Sequence, residues 1–238
     1  MSYEEQGFRP QEYTMADRAT AEARGQFIIR TYMHLFGAII ALVGVETVLQ
    51  LTPFPVAMLN MIGGAGMIGM LVYMGLFIGA SHIANSWAHG GASLSTQYAG
   101  LGLYVIVQAV ILAPLLYLAT RYQPGVLPDA AMATGFIFVG LTAVVFITRK
   151  NFSFMGPFLG VLGMAAIGIM FTSVIFGFTL GTLYTYAIIA LAAGYILYST
   201  SNVLHEYNTS QYVAASLSLF ASVALLFRFI LHLFMSRD

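Results

Sequence analysis

The sequence predicts an all-α membrane protein with seven transmembrane helices, and both composition and segment length lead to this prediction. Of the 238 residues, 59% are hydrophobic and only 8% are charged, and the mean hydropathy is +0.84. Because a soluble domain carries about 25% charged residues, this chain cannot build an aqueous surface and must be solvated mainly by lipid. Seven apolar segments also reach the roughly 20 residues that a helix needs to cross a bilayer core about 30 Å thick.

The seven predicted spans each begin and end beside polar or turn-forming residues. They run over residues 27–51, 56–80, 98–119, 130–148, 155–176, 181–198 and 213–234. The fifth and sixth spans are separated only weakly, at 177–181, so a single re-entrant pair is an alternative arrangement there. Glycines spaced four residues apart, such as Gly156 and Gly160, are predicted to let neighbouring helices approach closely.

The charged residues indicate how the chain is divided and oriented. Residues 1–26 hold eight of the eighteen charges, so we predict a polar cytoplasmic tail over 1–26 and a seven-helix transmembrane domain over 27–238. Lys and Arg beside span ends favour the cytoplasmic side of a membrane. With the N-terminus cytoplasmic and the C-terminus outside, the cytoplasmic side receives most of these residues: Arg9, Arg18, Arg24, Arg30, Arg149 and Lys150.

Two oppositely charged residues lie within predicted spans, and each is a functional candidate because charge is costly in lipid. Glu46 in the first span and Arg228 in the seventh lie at similar depths. Pairing would remove much of the cost of burying both groups, so we predict an intramembrane ion pair with a structural role. A place on an ion pathway is the alternative.

Other residue patterns argue against several classes of function. The chain has no cysteine, which excludes disulfides and thiol catalysis. It has no G-x-x-x-x-G-K loop for nucleotides and no G-x-S-x-G segment for serine hydrolysis, and its net charge of zero gives no reason to expect nucleic acid. His82 and His89 lack the third ligand that a zinc site requires. We therefore predict no catalytic residues, no metal and no cofactor.

Two segments in the second half of the chain resemble a known family. One is ITRKNFSFMGPFLG over residues 147–160, and the other is GYILYSTSNVLHEYNTSQYVAASLSLF over residues 194–220. Both resemble the Bax inhibitor-1 family of seven-span membrane proteins, and the TRK, TSN and terminal SRD pieces resemble its bacterial members that modulate the membrane protease FtsH. The resemblance implies a Bax inhibitor-1-like helix bundle in a cell inner (plasma) membrane.

The second segment departs from the family pattern at two positions. Many members carry Asp where this chain has Ser199 and Ser222, and the resemblance implies that such a carboxylate pair shares a proton and gates a calcium leak. Serine hydroxyls do not titrate near neutrality, so this proton switch cannot be carried over. We expect a neutral hydrogen bond between Ser199 and Ser222, with simple capping at the end of the sixth span as the alternative. His205 and Glu206 are then the titratable pair of the following cytoplasmic loop.

Three functions are compatible with these features. The favoured one is a non-catalytic modulator of an FtsH-like membrane quality-control protease, which would engage the polar tail. The second is a calcium or other cation leak channel, although Glu46 is the only carboxylate within a predicted span. The third is an accessory subunit of a larger membrane complex. The expected partners are membrane lipid and either such a protease or other membrane subunits, without nucleic acid.

Overall fold

A computed structural model describes residues 15–89 and 93–236, and these residues fold into eight α-helices. In chain order they are α1 (Ala21–Gln50), α2 (Phe54–Gly64), α3 (Gly66–His89), α4 (Leu94–Tyr122), α5 (Val126–Thr148), α6 (Met155–Phe176), α7 (Thr182–His205) and α8 (Tyr212–Met235). Seven of them are long and apolar enough to cross a membrane, and α2 is a shorter apolar helix. The predicted all-α architecture with seven spans is therefore confirmed, while the orientation of the termini stays a prediction.

The second predicted span, 56–80, differs most from the observed helices. It is divided between α2 and α3, because Gly66 adopts a left-handed backbone conformation with φ of +54°, which favours glycine and commonly ends a helix. α3 then continues to His89, so most of the connection expected over 81–97 is helical. Residues 90–92 of that connection lie outside the described residues.

The first helix begins within the segment predicted as a tail. The Thr20 side chain caps α1 by accepting a hydrogen bond from the Ala23 N–H at 3.3 Å, as N-cap threonines commonly do. Residues 21–26 are therefore helical. Residues 1–14 of the tail and residues 237–238 at the other terminus lie outside the described residues, and the division of the chain into tail and bundle stays a prediction.

The residues just before α1 are docked on the connection between α7 and α8. Ala16 is fully buried, and its N–H donates to the Tyr207 carbonyl at 2.9 Å. Met15 forms an isolated antiparallel bridge with Asn208. The last part of the polar segment is thus held against the end of the bundle where α7 ends.

The core of the bundle is built around α4, α7 and α8. Within the most apolar stretch of each helix, 61% of α4 residues are buried but only 11% of α6 residues, so α4 is central and α6 is peripheral. α8 packs against α1, α3, α4, α5 and α7. The largest fully buried side chains of the three core helices are Leu112, Ile196, Val203, Val213, Leu217, Leu219, Phe220, Leu226 and Leu231. Polar side chains on the facing surfaces of α7 and α8 are therefore shielded from lipid.

α6 and α7 are two separate helices of span length. Gly177 ends α6 in the left-handed conformation, with φ of +70°, and α7 starts at Thr182. The re-entrant alternative for this region is therefore not adopted. Gly156 lies so close to α7 that an added Cβ would come within 2.9 Å of the Tyr198 ring.

Candidate functional site

The candidate site is built on α7, which runs on to His205, well beyond the end predicted at residue 198. Ser199, Thr200 and Ser201 are at most 1% exposed. The alternative of simple capping at the end of the sixth span is not adopted, because these residues lie inside α7 and face neighbouring elements. Those neighbours supply hydrogen-bond partners for Ser199 and Ser201, and no glycine or proline interrupts residues 199–205.

Three serine hydroxyls from α7 and α8 form a cluster. The Ser199 Oγ atom lies 3.0 Å from the Ser218 Oγ atom and 3.4 Å from the Ser222 Oγ atom. The Ser222 hydroxyl donates to the Ser218 carbonyl at 2.9 Å. The expected proximity of Ser199 and Ser222 is therefore present, with Ser218 as a further member, while the functional role of the pair stays a prediction. This hydroxyl cluster, Ser199, Ser218 and Ser222, joins α7 to α8 without charge.

A cavity of about 410 Å³ borders the hydroxyl cluster. Its wall includes Tyr195 and Tyr198 of α7, Tyr104 and Gln108 of α4, and His82 of α3. The Gln108 side chain donates from Nε2 to the Tyr104 Oη atom at 3.1 Å. Four helices thus surround a space whose polar groups are mostly hydroxyl and amide groups.

The next residues of α7 hold the connection between α5 and α6. The backbone N–H of Phe152 donates to the Ser201 Oγ atom at 2.7 Å, and the Ser153 hydroxyl donates to the Asn202 Oδ1 atom at 2.7 Å. The Ser153 N–H also donates to the Asn151 Oδ1 atom at 2.7 Å. The two segments on which the family resemblance rests are therefore in direct contact.

His205 and Glu206 lie where α7 ends. The Nδ1 atom of His205 is 2.9 Å from the Ser201 carbonyl; because a carbonyl only accepts, Nδ1 carries the proton in this contact. The exposed Glu206 carboxylate accepts from the Asn151 amide at 3.4 Å. Burial raises the pKa of Tyr207 to about 12, so this phenol stays neutral at physiological pH. A pH-responsive role for His205 and Glu206 stays a prediction.

The carboxylate of Glu46 has a different partner from the one expected. It accepts from the Gln50 Nε2 atom at 3.3 Å through Oε2, and its Oε1 atom is buried with no hydrogen-bond partner among the described residues. Among the residues that the structure describes, Glu46 and Arg228 do not form the predicted ion pair. Gln50, one helical turn away on α1, donates to the carboxylate instead.

The family model described as "Inhibitor of apoptosis-promoting Bax1" matches residues 24–238. This chain belongs to the Bax inhibitor-1 family. The match includes all eight helices except the first three residues of α1. It therefore includes the hydroxyl cluster and the contact between the two segments of the resemblance.

Three relatives illustrate the Bax inhibitor-1 family. Protein LIFEGUARD 4 of Arabidopsis thaliana is 29% identical over 150 residues, which are 60% of this chain and 58% of the relative. An uncharacterized membrane protein of Vibrio cholerae is 32% identical over 119 residues, 49% of this chain and 53% of the relative. Bax inhibitor 1 of Schizosaccharomyces pombe is 29% identical over 140 residues, which are 57% of this chain and 50% of the relative. The chain thus spans between 50% and 58% of the length of these relatives.

Membership of the Bax inhibitor-1 family is consistent with a multi-pass membrane protein. The family is described as an inhibitor, and this description names no reaction. Closeness to the modulators of FtsH, location in an inner membrane and the lack of enzymatic activity stay predictions.

Several residues of this Bax inhibitor-1 site were missed by reasoning from sequence. Ser218 precedes Ser222 by four residues, so the two share one face of α8, and this spacing was the available signal. Tyr104 and Gln108 share a face of α4 by the same spacing. The contact of Ser201 with the α5–α6 connection had no such signal, because it joins residues distant in sequence.

Proposed function

We propose that this Bax inhibitor-1 family protein is a non-catalytic modulator of an FtsH-like membrane quality-control protease. In this mechanism the protease engages the polar N-terminal segment but extracts the helix bundle poorly, so the protein occupies the protease. The site of action would be a cell inner (plasma) membrane. The observation that carries the proposal is the docking of the residues before α1 on the end of α7.

The docking consists of backbone and side-chain contacts on both sides of the start of α1. Ala16 is fully buried and its N–H donates to the Tyr207 carbonyl at 2.9 Å. Arg24 donates from Nη2 to the Leu204 carbonyl at 3.2 Å. A force applied to the N-terminal residues would therefore act first on the end of α7, one of the three core helices, before it could unfold α1.

Two variants distinguish the binding of the protease to the N-terminal segment from the resistance of the helix bundle to extraction. Deleting residues 2–14 removes the polar segment before Met15 and should reduce co-purification with the protease, while the thermal midpoint of the bundle in detergent stays unchanged. Substituting Ala16→Asp keeps the segment but places a charge in a buried position, and should shorten the lifetime of the protein in membranes that contain the protease. The matched control is Ala19→Asp in the same segment, because Ala19 is only partly buried whereas Ala16 is fully buried.

The two readouts can each contradict the proposal. Unchanged association after deletion of residues 2–14 would remove the polar segment from the mechanism. An Ala16→Asp lifetime equal to that of the control would show that docking does not resist extraction. Membranes that lack the protease give the reference lifetime for every variant.

A second candidate function is a calcium or other cation leak, and the cavity beside the hydroxyl cluster is the observation that favours it. This cavity of about 410 Å³ has a partly polar wall between four helices. Cation pathways in membrane proteins are lined by carbonyl groups or carboxylates, whereas hydroxyl and amide groups predominate among the polar side chains here. The modulator function is therefore preferred.

A further inference from the structure

A second and larger cavity lies in the half of the bundle where α1 ends. Its volume is about 650 Å³, within the range of roughly 300–1,000 Å³ typical of ligand sites. α1, α4, α5 and α8 line it, mostly with apolar side chains such as Leu42, Leu112, Phe138 and Phe227. Val43 of α1 and Gly135 of α5 lie on its wall and are exposed, so the cavity opens to the surrounding lipid.

This apolar cavity contains one carboxylate, Glu46. Glu46 is only 6% exposed, and its Oε1 atom has no hydrogen-bond partner among the described residues. Gln50 is its single donor, at 3.3 Å, and Gln50 is itself held by donating to the Ala113 carbonyl at 3.0 Å. A buried carboxylate with so few donors is costly, so a cationic ligand that donates hydrogen bonds to Glu46 would stabilise it.

We propose that this cavity binds a membrane lipid whose headgroup carries a primary ammonium group. The ammonium would donate hydrogen bonds to Glu46, and an acyl chain would occupy the apolar part of the cavity. Rotation about the last side-chain bond of Glu46, which has a broad energy minimum, turns the unpartnered oxygen towards the cavity. Complementary charge and access from the lipid identify the ligand class.

The depth of Glu46 suits a lipid headgroup. Glu46 precedes Gln50, the last residue of α1, by four positions, which corresponds to about 6 Å along the helix axis. The headgroup region of a bilayer extends several ångströms beyond the hydrocarbon core. An ammonium group at that level can reach the carboxylate while the phosphate stays near the membrane surface.

Arg228 is the internal alternative to a lipid ammonium group. It is not among the residues that line the cavity. Neutralisation by Arg228 would need a rearrangement that brings the two side chains into contact. Under that alternative, Glu46 would contribute to stability irrespective of which lipid is present.

The experiment measures lipid retention on the full-length protein by native mass spectrometry from detergent. The probes are phosphatidylethanolamine and phosphatidylcholine with identical acyl chains, because the choline group is cationic but has no N–H donor. Retention of phosphatidylethanolamine should exceed that of phosphatidylcholine about tenfold, the discrimination typical of a hydrogen bond to a charged group. Glu46→Gln should abolish this preference, and Asp129→Asn, an exposed carboxylate at the same end of the bundle, should retain it.

A second pair of variants tests the cavity without changing charge. An added side chain at Gly135 meets nothing within 4 Å and would project from the cavity wall, so Gly135→Leu should fill the cavity and abolish the preference. Gly140→Leu is the control, because Gly140 also has open space but does not line the cavity. If Glu46→Gln does not fold, the Gly135 and Gly140 variants decide the question.

The proposal is wrong if the unsubstituted protein retains both lipids equally. It is also wrong if the preference survives both Glu46→Gln and Gly135→Leu. A third contradicting result is a Glu46→Gln variant that keeps the preference but has a lower thermal midpoint with either lipid. That result would assign Glu46 to an internal charge interaction with Arg228.

Discussion

At the scale of single residues, the hydroxyl groups of Ser199 and Ser222 give the core of this Bax inhibitor-1 protein a polar contact that does not titrate near neutrality. Their oxygens lie 3.4 Å apart, and Ser218 lies 3.0 Å from Ser199. Carboxylates at such a distance would split their apparent pKa values and respond to pH. Hydroxyl groups stay neutral and only exchange hydrogen bonds, so this contact between α7 and α8 is independent of pH near neutrality.

Ser201 is the residue whose loss should cost most among the polar side chains near the end of α7. It is fully buried and accepts the Phe152 N–H at 2.7 Å. Substituting Ser201→Ala leaves this N–H without its acceptor, which should lower the free energy of unfolding by about 1–3 kcal/mol. The measurement is thermal unfolding in detergent.

The matched control for this prediction is Ser86→Ala. The Ser86 hydroxyl is exposed and donates to the Ile83 carbonyl of its own helix, so its removal should change the free energy of unfolding by less than about 0.5 kcal/mol. Equal thermal midpoints for the two variants would contradict a stabilising role for the Ser201–Phe152 contact.

At the scale of helices, α6 depends on close packing with α7. Tyr195 donates from its hydroxyl to the Leu159 carbonyl at 2.9 Å, and Tyr198 lies over Gly156. The sequence predicted close approach at both Gly156 and Gly160. Of these two glycines, Gly156 alone has an α7 side chain within contact distance, while an added Cβ at Gly160 would meet nothing within 4 Å.

Alanine substitutions should therefore have different effects at these two glycines. Gly156→Ala would place a methyl group 2.9 Å from the Tyr198 ring, and such overpacking typically costs about 1–3 kcal/mol. Gly160→Ala should be neutral or stabilise α6 by up to about 1 kcal/mol, because alanine is the better helix former. Thermal unfolding of both variants checks this prediction, and equal destabilisation would show that the α6–α7 contact is not specific to Gly156.

At the scale of the whole molecule, elements that are far apart in sequence contact one another at the end of α7. The segment before α1 docks there through Ala16, and the first turn of α1 docks there through Arg24. The α5–α6 connection docks there through Ser153. The cavity beside the hydroxyl cluster lies in the same half of the bundle, and a pathway between α7 and α8 would require these two helices to separate.

Calcium flux into proteoliposomes between about pH 5 and pH 8 tests whether these helices separate. The unsubstituted protein should show no pH-dependent flux, because the Ser199–Ser222 contact does not titrate in this range. The double variant Ser199→Asp with Ser222→Asp should show flux that varies with pH. Its shared proton holds the carboxylates together at low pH, and their mutual repulsion separates the helices once the pH exceeds the higher apparent pKa.

The control for the flux measurement is the double variant Ser199→Asn with Ser222→Asn, which adds similar volume without charge. Flux in this variant would indicate disturbed packing instead of a titrating pair. Strong pH-dependent flux in the unsubstituted protein would contradict the argument from serine and place the cation leak ahead of the protease modulator.

The sequence by itself determined the class of fold and most of the spans of this protein. Hydropathy and segment length are local properties, so they report directly on whether a segment is solvated by lipid. The predicted span 155–176 coincides with α6, and the predicted span 213–234 differs from α8 by one residue at each end. The motifs of the resemblance identified the Bax inhibitor-1 family for the same reason, because they are contiguous in sequence.

Only the tertiary structure decided which polar groups pair and where α7 ends. A polar side chain is tolerated within a bundle when another element supplies its partner, and the identity of that element depends on packing between helices. Hence Ser199, Ser201 and Asn202 lie within α7 instead of ending it, because α8 and the α5–α6 connection supply partners for their side chains. Glu46 binds Gln50 instead of Arg228 for the corresponding reason: at equal depth in two helices, the rotation of each helix decides which groups meet.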